Sequence, residues 1–284
     1  MALEMVPLQS GQRLDGPTIG RRDVRHSPCV PTRLLVGILV VWLAAGRSPH
    51  AAQSGSRAGD PPRVLNVVHQ KLERRKAGAY VALETSIARA YARARVQVFW
   101  IALQSPIDGT DILYLHPADS MSDWDQRAGR IRQALAAHPD IEQLQKRLQS
   151  LVSRDALSTL TTKRDEVEPL GLDSSFATMR ALRLTVFQVK PGQEGEFINS
   201  ARIEGGGGRW LLYEANAVPT FMLVSPARSL TAARRIETPR GLKGLRRAYA
   251  AVETQLYAVS PAMSHVPDPF LAAAPFWRSR DGPP

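Results

Sequence analysis

Cysteine is almost absent: Cys29 is the only one in 284 residues. It lies ahead of the longest apolar block, so a chain cleaved after that block carries no thiol, which excludes disulfides, a cysteine nucleophile and a zinc–thiolate site. Stability must then come from packing. Long apolar runs are missing too, since Leu34–Ala45 falls short of the roughly 20 residues that a membrane-spanning helix needs. His69, His138 and His265 stand in no H-E-x-x-H spacing, no G-x-S-x-G elbow occurs, and Gly205–Gly208 lacks the Lys-Ser/Thr of a phosphate loop. No metal and no cofactor is expected on these grounds. Acid is scarce as well, with 26 Asp+Glu against 37 Lys+Arg and a formal net charge of +11.

What is present starts with an address. Arg33 precedes the apolar block, and Pro49-His-Ala-Ala52 supplies small residues for cleavage, so 1–52 reads as a signal peptide and the mature chain as periplasmic or secreted, with no stable membrane anchor left. The stretch before Arg33 is long for such a leader, which leaves the true start and the export route open. The remainder keeps a net charge of about +8. Its arginines, Arg89, Arg93 and Arg95 and then Arg234 to Arg247, read as solvated helix faces; anionic lipid, cell-wall polymer and nucleic acid are the partners such charge could meet, but no nucleic-acid motif accompanies it.

The chain then says the same thing twice. Ile112-Leu-Tyr-Leu-His116 runs into Pro117-Ala-Asp-Ser-Met121, and Phe221-Met-Leu-Val-Ser225 runs into Pro226-Ala-Arg-Ser-Leu230. Each is a β-forming run ended by proline, with Asp119 or Ser120 placed to cap a following helix in the first copy. Strands are expected over 64–69, 97–103, 111–116 and 157–162, with helices over 76–94, 120–137 and 141–152. The order βαββαβ recurs in the second half, where 241–257 reads as helix and 263–266 as the closing strand. The expected organisation is a linker over 53–62, a first module over 63–165, a joint over 166–181, a second module over 182–266 and a Pro/Ala-rich tail over 267–284. Phe270, Phe276 and Trp277 of that tail are expected to pack back onto the surface.

The segments Val189-Lys-Pro-Gly-Gln-Glu-Gly-Glu-Phe197, Trp210-Leu-Leu-Tyr213 and Thr220–Leu230 resemble a group of uncharacterised exported bacterial proteins with tandem ferredoxin-like modules, and Asp119–Trp124 is similar to their first module. These modules resemble the dimeric α/β-barrel superfamily, which includes antibiotic-biosynthesis monooxygenases and NIPSNAP-like proteins. The resemblance implies an α+β fold in which two ferredoxin-like units form an intrachain pseudo-dimer. Physics points the same way, because a βαββαβ sheet has helices on one face only and the second copy can cover the other.

Alternation then nominates a site. If Phe99, Ile101 and Leu103 face the helices, Trp100, Tyr114 and His116 face the space between the sheets, with His69 at the rim and Trp210 and Glu214 as counterparts from the second half. The expected ligand is a small hydrophobic molecule, or the role is structural. The resemblance adds two alternatives: a cofactor-independent oxygenase acting on an aromatic substrate, and haem binding through His116 or His69. Oligomeric state is left open.

Overall fold

The computed structural model describes residues 60–152, 156–167, 172, 174–204, 210–216 and 218–278. The expected signal peptide, most of the 53–62 linker and the Gly205–Gly208 loop lie outside the described residues. Ser54–Pro284 forms one compact unit that closes its own barrel and core.

The elements are β1 (Val64–Lys71), α1 (Arg74–Arg93), β2 (Trp100–Gln104), β3 (Asp111–Ala118), α2 (Met121–Ala137), α3 (Pro139–Gln149), β4 (Leu157–Lys163), β5 (Ala181–Val189), α4 (Glu194–Glu204), β6 (Leu211–Ala215), β7 (Thr220–Ala227), α5 (Leu230–Arg235), α6 (Arg240–Gly244), β8 (Tyr249–His265) and α7 (Asp268–Ala273), followed by a 3-10 turn over Pro275–Arg278. The strands close a mixed α+β barrel in the order β1-β3-β2-β8-β5-β7-β6-β4, every pairing antiparallel. The first four strands lie as β4-β1-β3-β2 and the last four as β8-β5-β7-β6, the same order in each half. The seams β2–β8 and β4–β6 leave no sheet edge unpaired, which removes the aggregation hazard an open edge carries.

The repeated Pro-Ala-x-Ser stretches have a mechanical reason. Ser120 caps α2 by accepting from Asp123 N at 3.1 Å, and Ser229 caps α5 by accepting from Ala232 N at 3.1 Å. In both places the proline is the next-to-last residue of the strand and the serine satisfies a first-turn amide of the helix that follows.

Two faces of the barrel wall hold separate cores. Leu65 and Val67 of β1, Ile101 and Leu103 of β2, Leu113 and Leu115 of β3, and Leu182, Leu184, Leu211, Met222, Val224 and Val259 of the second half fill the interior. Trp100, Ala102, Ile112, Tyr114 and Met263 face outward onto α1 and α3, and Trp210, Leu212, Phe221 and Leu223 face outward beside Phe197 of α4.

The expected faces are therefore reversed. Trp100, Tyr114 and Trp210 belong to the helix-covered layers, and Ile101 and Leu103 point into the barrel. Bulk and polarity explain the choice. The indole Nε1 of Trp100 donates to Met263 O at 2.7 Å and Tyr114 Oη lies 2.8 Å from Tyr80 Oη of α1, so both polar atoms find partners in the outer layer, while the inward positions of β1, β2 and β3 are mostly branched aliphatics.

A second correction concerns the chain's end. Residues 249–257 are strand, not helix, and the expected short closing strand is the last part of the 17-residue β8. β8 must be long because its first part pairs with β5 and its last part with β2, so one strand closes a seam between halves. That pairing overrides the local helix preference of its Ala- and Gln-containing sequence. Past β8 the tail does not merely lie on the surface: Trp277 is 2% exposed, and together with Phe270, Leu271 and Phe276 it joins the interior cluster, which Phe176 and Met179 of the inter-half connection also enter.

Candidate functional site

Strand direction makes the two ends of the barrel unlike. Chain segments cross one end, where β4 hands over to β5 and β8 runs into the tail, and there Phe176, Met179, Phe276 and Trp277 stop the interior. At the other end β1 finishes at Lys71, β3 begins at Asp111, β4 begins at Leu157, and the first part of β8 stands exposed. Inward-facing positions are open there. Leu157, opposite His69 on β4, is 57% exposed, and Glu253, opposite the interior residue Val186, is exposed as well.

This mouth carries a titratable polar set of its own. His69 Nε2 is hydrogen-bonded to Asp111 Oδ1 across the β1–β3 ladder. On β8, Tyr257 Oη donates to Gln255 Oε1, and Gln255 Nε2 donates to Glu253 Oε1 at 2.5 Å. Residues 253, 255 and 257 share the inward face, because they sit opposite Val186, Leu184 and Leu182.

Electrostatics ties the two groups together. The hydrogen bond that Asp111 accepts raises the His69 pKa above its ordinary value, opposed by partial burial and assisted by the charges of Asp111 and Glu253. Burial and the same two carboxylates push the Tyr257 phenol up, so it stays protonated and can donate. A His–Asp pair of this kind keeps its proton to higher pH than a free imidazole and can exchange it with a hydroxyl group placed over the ring. Its pair energy follows from the sign of the shift. The contribution is full below the unfolded pKa of His69 and is lost as pH rises through the folded one. Asp111→Asn is expected to return the His69 pKa toward that of a free imidazole, read from the imidazole Cε1–H shift against pH; an unmoved titration would show that Asp111 does not control the proton.

The five residues nominated from the sequence do not meet. Trp100, Tyr114 and His116 lie on the outward face of the first half, Trp210 in the outer layer of the second, and Glu214 pairs with Arg164 at 2.6 Å beside a shallow depression lined by Thr162, Arg164 and Asn216. His116 stacks on Tyr114 with ring centroids 6.2 Å apart, and its Nδ1 accepts from Arg127 Nη2 at 2.7 Å. Burial and the Arg127 charge hold that imidazole well below its usual pKa, hence neutral. With one nitrogen taken by a guanidinium and one face covered by a tyrosine, the surroundings of His116 do not fit a haem. Nor does His69, whose Nε2 is held by Asp111 above a side-chain-filled interior.

Sequence reading placed His69 at the rim but missed Asp111, Gln255 and Tyr257, the last two because 249–257 read as helix. It also missed two buried charges. Glu84 follows Tyr80 and Leu83 and precedes Ile87 at helical spacing, a carboxylate on an apolar stripe, which is the signal that could have found it. Arg127 is likewise buried, donating to Phe99 O at 3.1 Å as well as to His116.

No family model and no curated sequence matches the chain. Among solved structures, it is similar to a provisionally assigned monooxygenase from Lactobacillus acidophilus NCFM at a TM-score of 0.46 and 8% identity, over 70% of this chain and 94% of that one. An anthrone oxidase-like protein gives a TM-score of 0.45 and 14% identity over 72% and 93%. Chlorite dismutase from Candidatus Nitrospira defluvii, in complex with imidazole, gives 0.42 and 13% over 75% and 96%. These likenesses are ones of architecture. Among the described residues no group of three or more His, Cys, Asp or Glu side chains is placed to hold a metal ion, and no helix is long and apolar enough to cross a membrane.

Proposed function

We propose that the protein is an exported small-molecule-binding barrel built from two ferredoxin-like modules, 63–165 and 182–266, and that its ligand enters the open mouth. The ligand class is a compact, largely apolar molecule bearing a hydroxyl group. Its apolar body would rest at the rim on Leu157 and Val186, which the packed interior leaves accessible, and its hydroxyl would meet the His69–Asp111 pair or the Tyr257–Gln255 pair. The observation that carries this reading is the asymmetry of the barrel, aromatic-plugged at one end and polar and open at the other. Both halves contribute, since β1 and β3 supply His69 and Asp111 while β8 supplies Gln255 and Tyr257.

The reading is tested by titrating 1-naphthol into the protein while following backbone amide shifts. Perturbations centred on residues 69, 111 and 255–257 are expected, with a Kd on the order of 100 µM for a ligand of that size. Asp111→Asn should weaken it about tenfold, the loss of roughly one charge-assisted hydrogen bond. Shifts confined to the groove between α1 and α3, lined by Leu83, Ser86 and Leu144, or none at millimolar ligand, would sink the reading. The export component is tested separately: the N-terminus of protein recovered outside the cytoplasm is expected near Gln53.

The His69–Asp111 pair also favours a catalytic variant of the same reading, a cofactor-independent oxygenase in which His69 takes the proton of a hydroxyarene. Oxygen uptake with bound 1-naphthol, abolished by Asp111→Asn, is the result that variant requires.

A further inference from the structure

The connection between the third and fourth strands occurs once in each half, and the two copies differ in charge. In the first, α2 and α3 set Asp123, Asp125, Asp140 and Glu142 against five cations, with Arg130 bonded to Asp123 and Lys146 to Glu142, each at 2.7 Å. In the second, the segment of α5, α6 and the turn after α6 carries Arg234, Arg235, Arg240, Lys243, Arg246 and Arg247 within fourteen residues, all exposed, against the single carboxylate of Glu237. The topological position therefore accommodates balanced charge, so the fold itself does not demand a cationic one.

Nor do the helices require it. Arg234 and Arg235 end α5 and Lys243 lies in the last turn of α6, where cations oppose the helix dipole favourably, but Arg240 opens α6, the end that favours anions, and Arg246 and Arg247 lie beyond it. Meanwhile Ala233, Ile236 and Leu242 are buried in the barrel's outer layers and fix the segment with its guanidinium groups toward solvent.

We propose that this α5–α6 face is a docking surface for an anionic phospholipid membrane. Guanidinium groups bind phosphate oxygens bidentately, and a basic cluster is drawn to an acidic bilayer surface by roughly 1 kcal/mol per cation near it. The face has no exposed aromatic ring on which a base could stack, and helices of six and five residues are too short to enter a nucleic-acid groove. What remains is a dense positive surface suited to headgroups that rearrange beneath it.

The test uses the Ser54–Pro284 unit, which omits the apolar block of residues 34–45, and vesicles of phosphatidylcholine with or without 30% phosphatidylglycerol. Cosedimentation is expected only with the anionic vesicles, and to fade as salt rises. The triple variant Arg234→Gln, Arg235→Gln, Arg246→Gln is expected to lower the partition coefficient about 100-fold. A control with the same net charge, Arg93→Gln, Arg132→Gln, Arg147→Gln, replaces exposed cations of the first half and should change it less than threefold. Equal losses in the two variants, absence of binding at low salt, or tighter binding to a 20-mer DNA duplex than to vesicles at equal phosphate would each overturn the proposal.

Discussion

Trp277→Ala is expected to destabilise the barrel by about 3–5 kcal/mol, the range for removing a buried aromatic side chain from a well-packed core. The residue lies far outside both modules as the sequence divides them. Its indole nonetheless packs edge-on against Phe276 at 5.4 Å, reaches Phe270 at 5.9 Å, and donates from Nε1 to Ala177 O at 2.6 Å. That hydrogen bond staples the tail to the connection between the halves at the end of the barrel where both cross. Truncation thus opens a cavity in the interior cluster and leaves the Ala177 carbonyl without its donor. Trp277→Phe keeps much of the apolar contact but loses the N–H and part of the bicyclic ring, so a smaller loss of about 1–3 kcal/mol is expected. Urea unfolding measures both; a loss under 1 kcal/mol for the alanine variant would mean that the tail lies on the barrel and does not plug it.

Glu84→Gln is expected to act in the opposite direction, and only above the acid range. Glu84 is 6% exposed on α1, within 3.3 Å of Tyr80 Oη, which also donates to Gln70 Oε1 at 3.1 Å. Burial pushes its carboxyl up to about 7, opposed by hydrogen bonds from Tyr114 and Tyr80. A raised carboxylate means that the folded chain holds a proton the unfolded chain has released. Stability is therefore unpenalised below the unfolded pKa, falls as pH climbs toward 7, and stays low above it. The penalty at pH 8 is about 3 kcal/mol from a shift of this size.

A neutral glutamine escapes that penalty. The variant should match the native chain near pH 4.5 and exceed it by about 2–3 kcal/mol at pH 8. His69 and His116 also titrate across this window, His69 losing its pair energy with rising pH and neutral His116 gaining, but both terms cancel in the difference between variant and parent. A pH-independent difference would show that Glu84 is not the group that titrates.

Much of the barrel wall is legible in the amino-acid sequence. The paired Pro-Ala-x-Ser stretches announced two strand-to-helix junctions, and both serines cap as such residues do. Alternation along 97–103 and 111–116 marked strands, and a βαββαβ sheet with helices on one face only implied a second covering layer. Alternation has a period of two and no sign, however, so it separates the faces of a strand without saying which face lies inside. That is how Trp100, Tyr114 and Trp210 came to be expected in the interior when they pack under helices.

The mouth was less legible still. His69 and Asp111 are 42 positions apart and meet only because β1 and β3 pair in the register that puts Lys71 beside Asp111. Tyr257 and Gln255 reach the same rim only because β8 is strand from Tyr249 to His265, an outcome imposed by the seams on either side of it.

Sequence alone determined most of the segments able to form strands, the first part of β8 excepted, together with the two junctions built alike and the excess of cations, because composition, periodicity and capping are properties of neighbouring residues. Tertiary structure decided which side of each strand faces inward, which end of the barrel is plugged, and which histidine meets a carboxylate. Those outcomes depend on closing eight strands into one ring, and ring closure sets register and direction between residues that the chain itself keeps far apart.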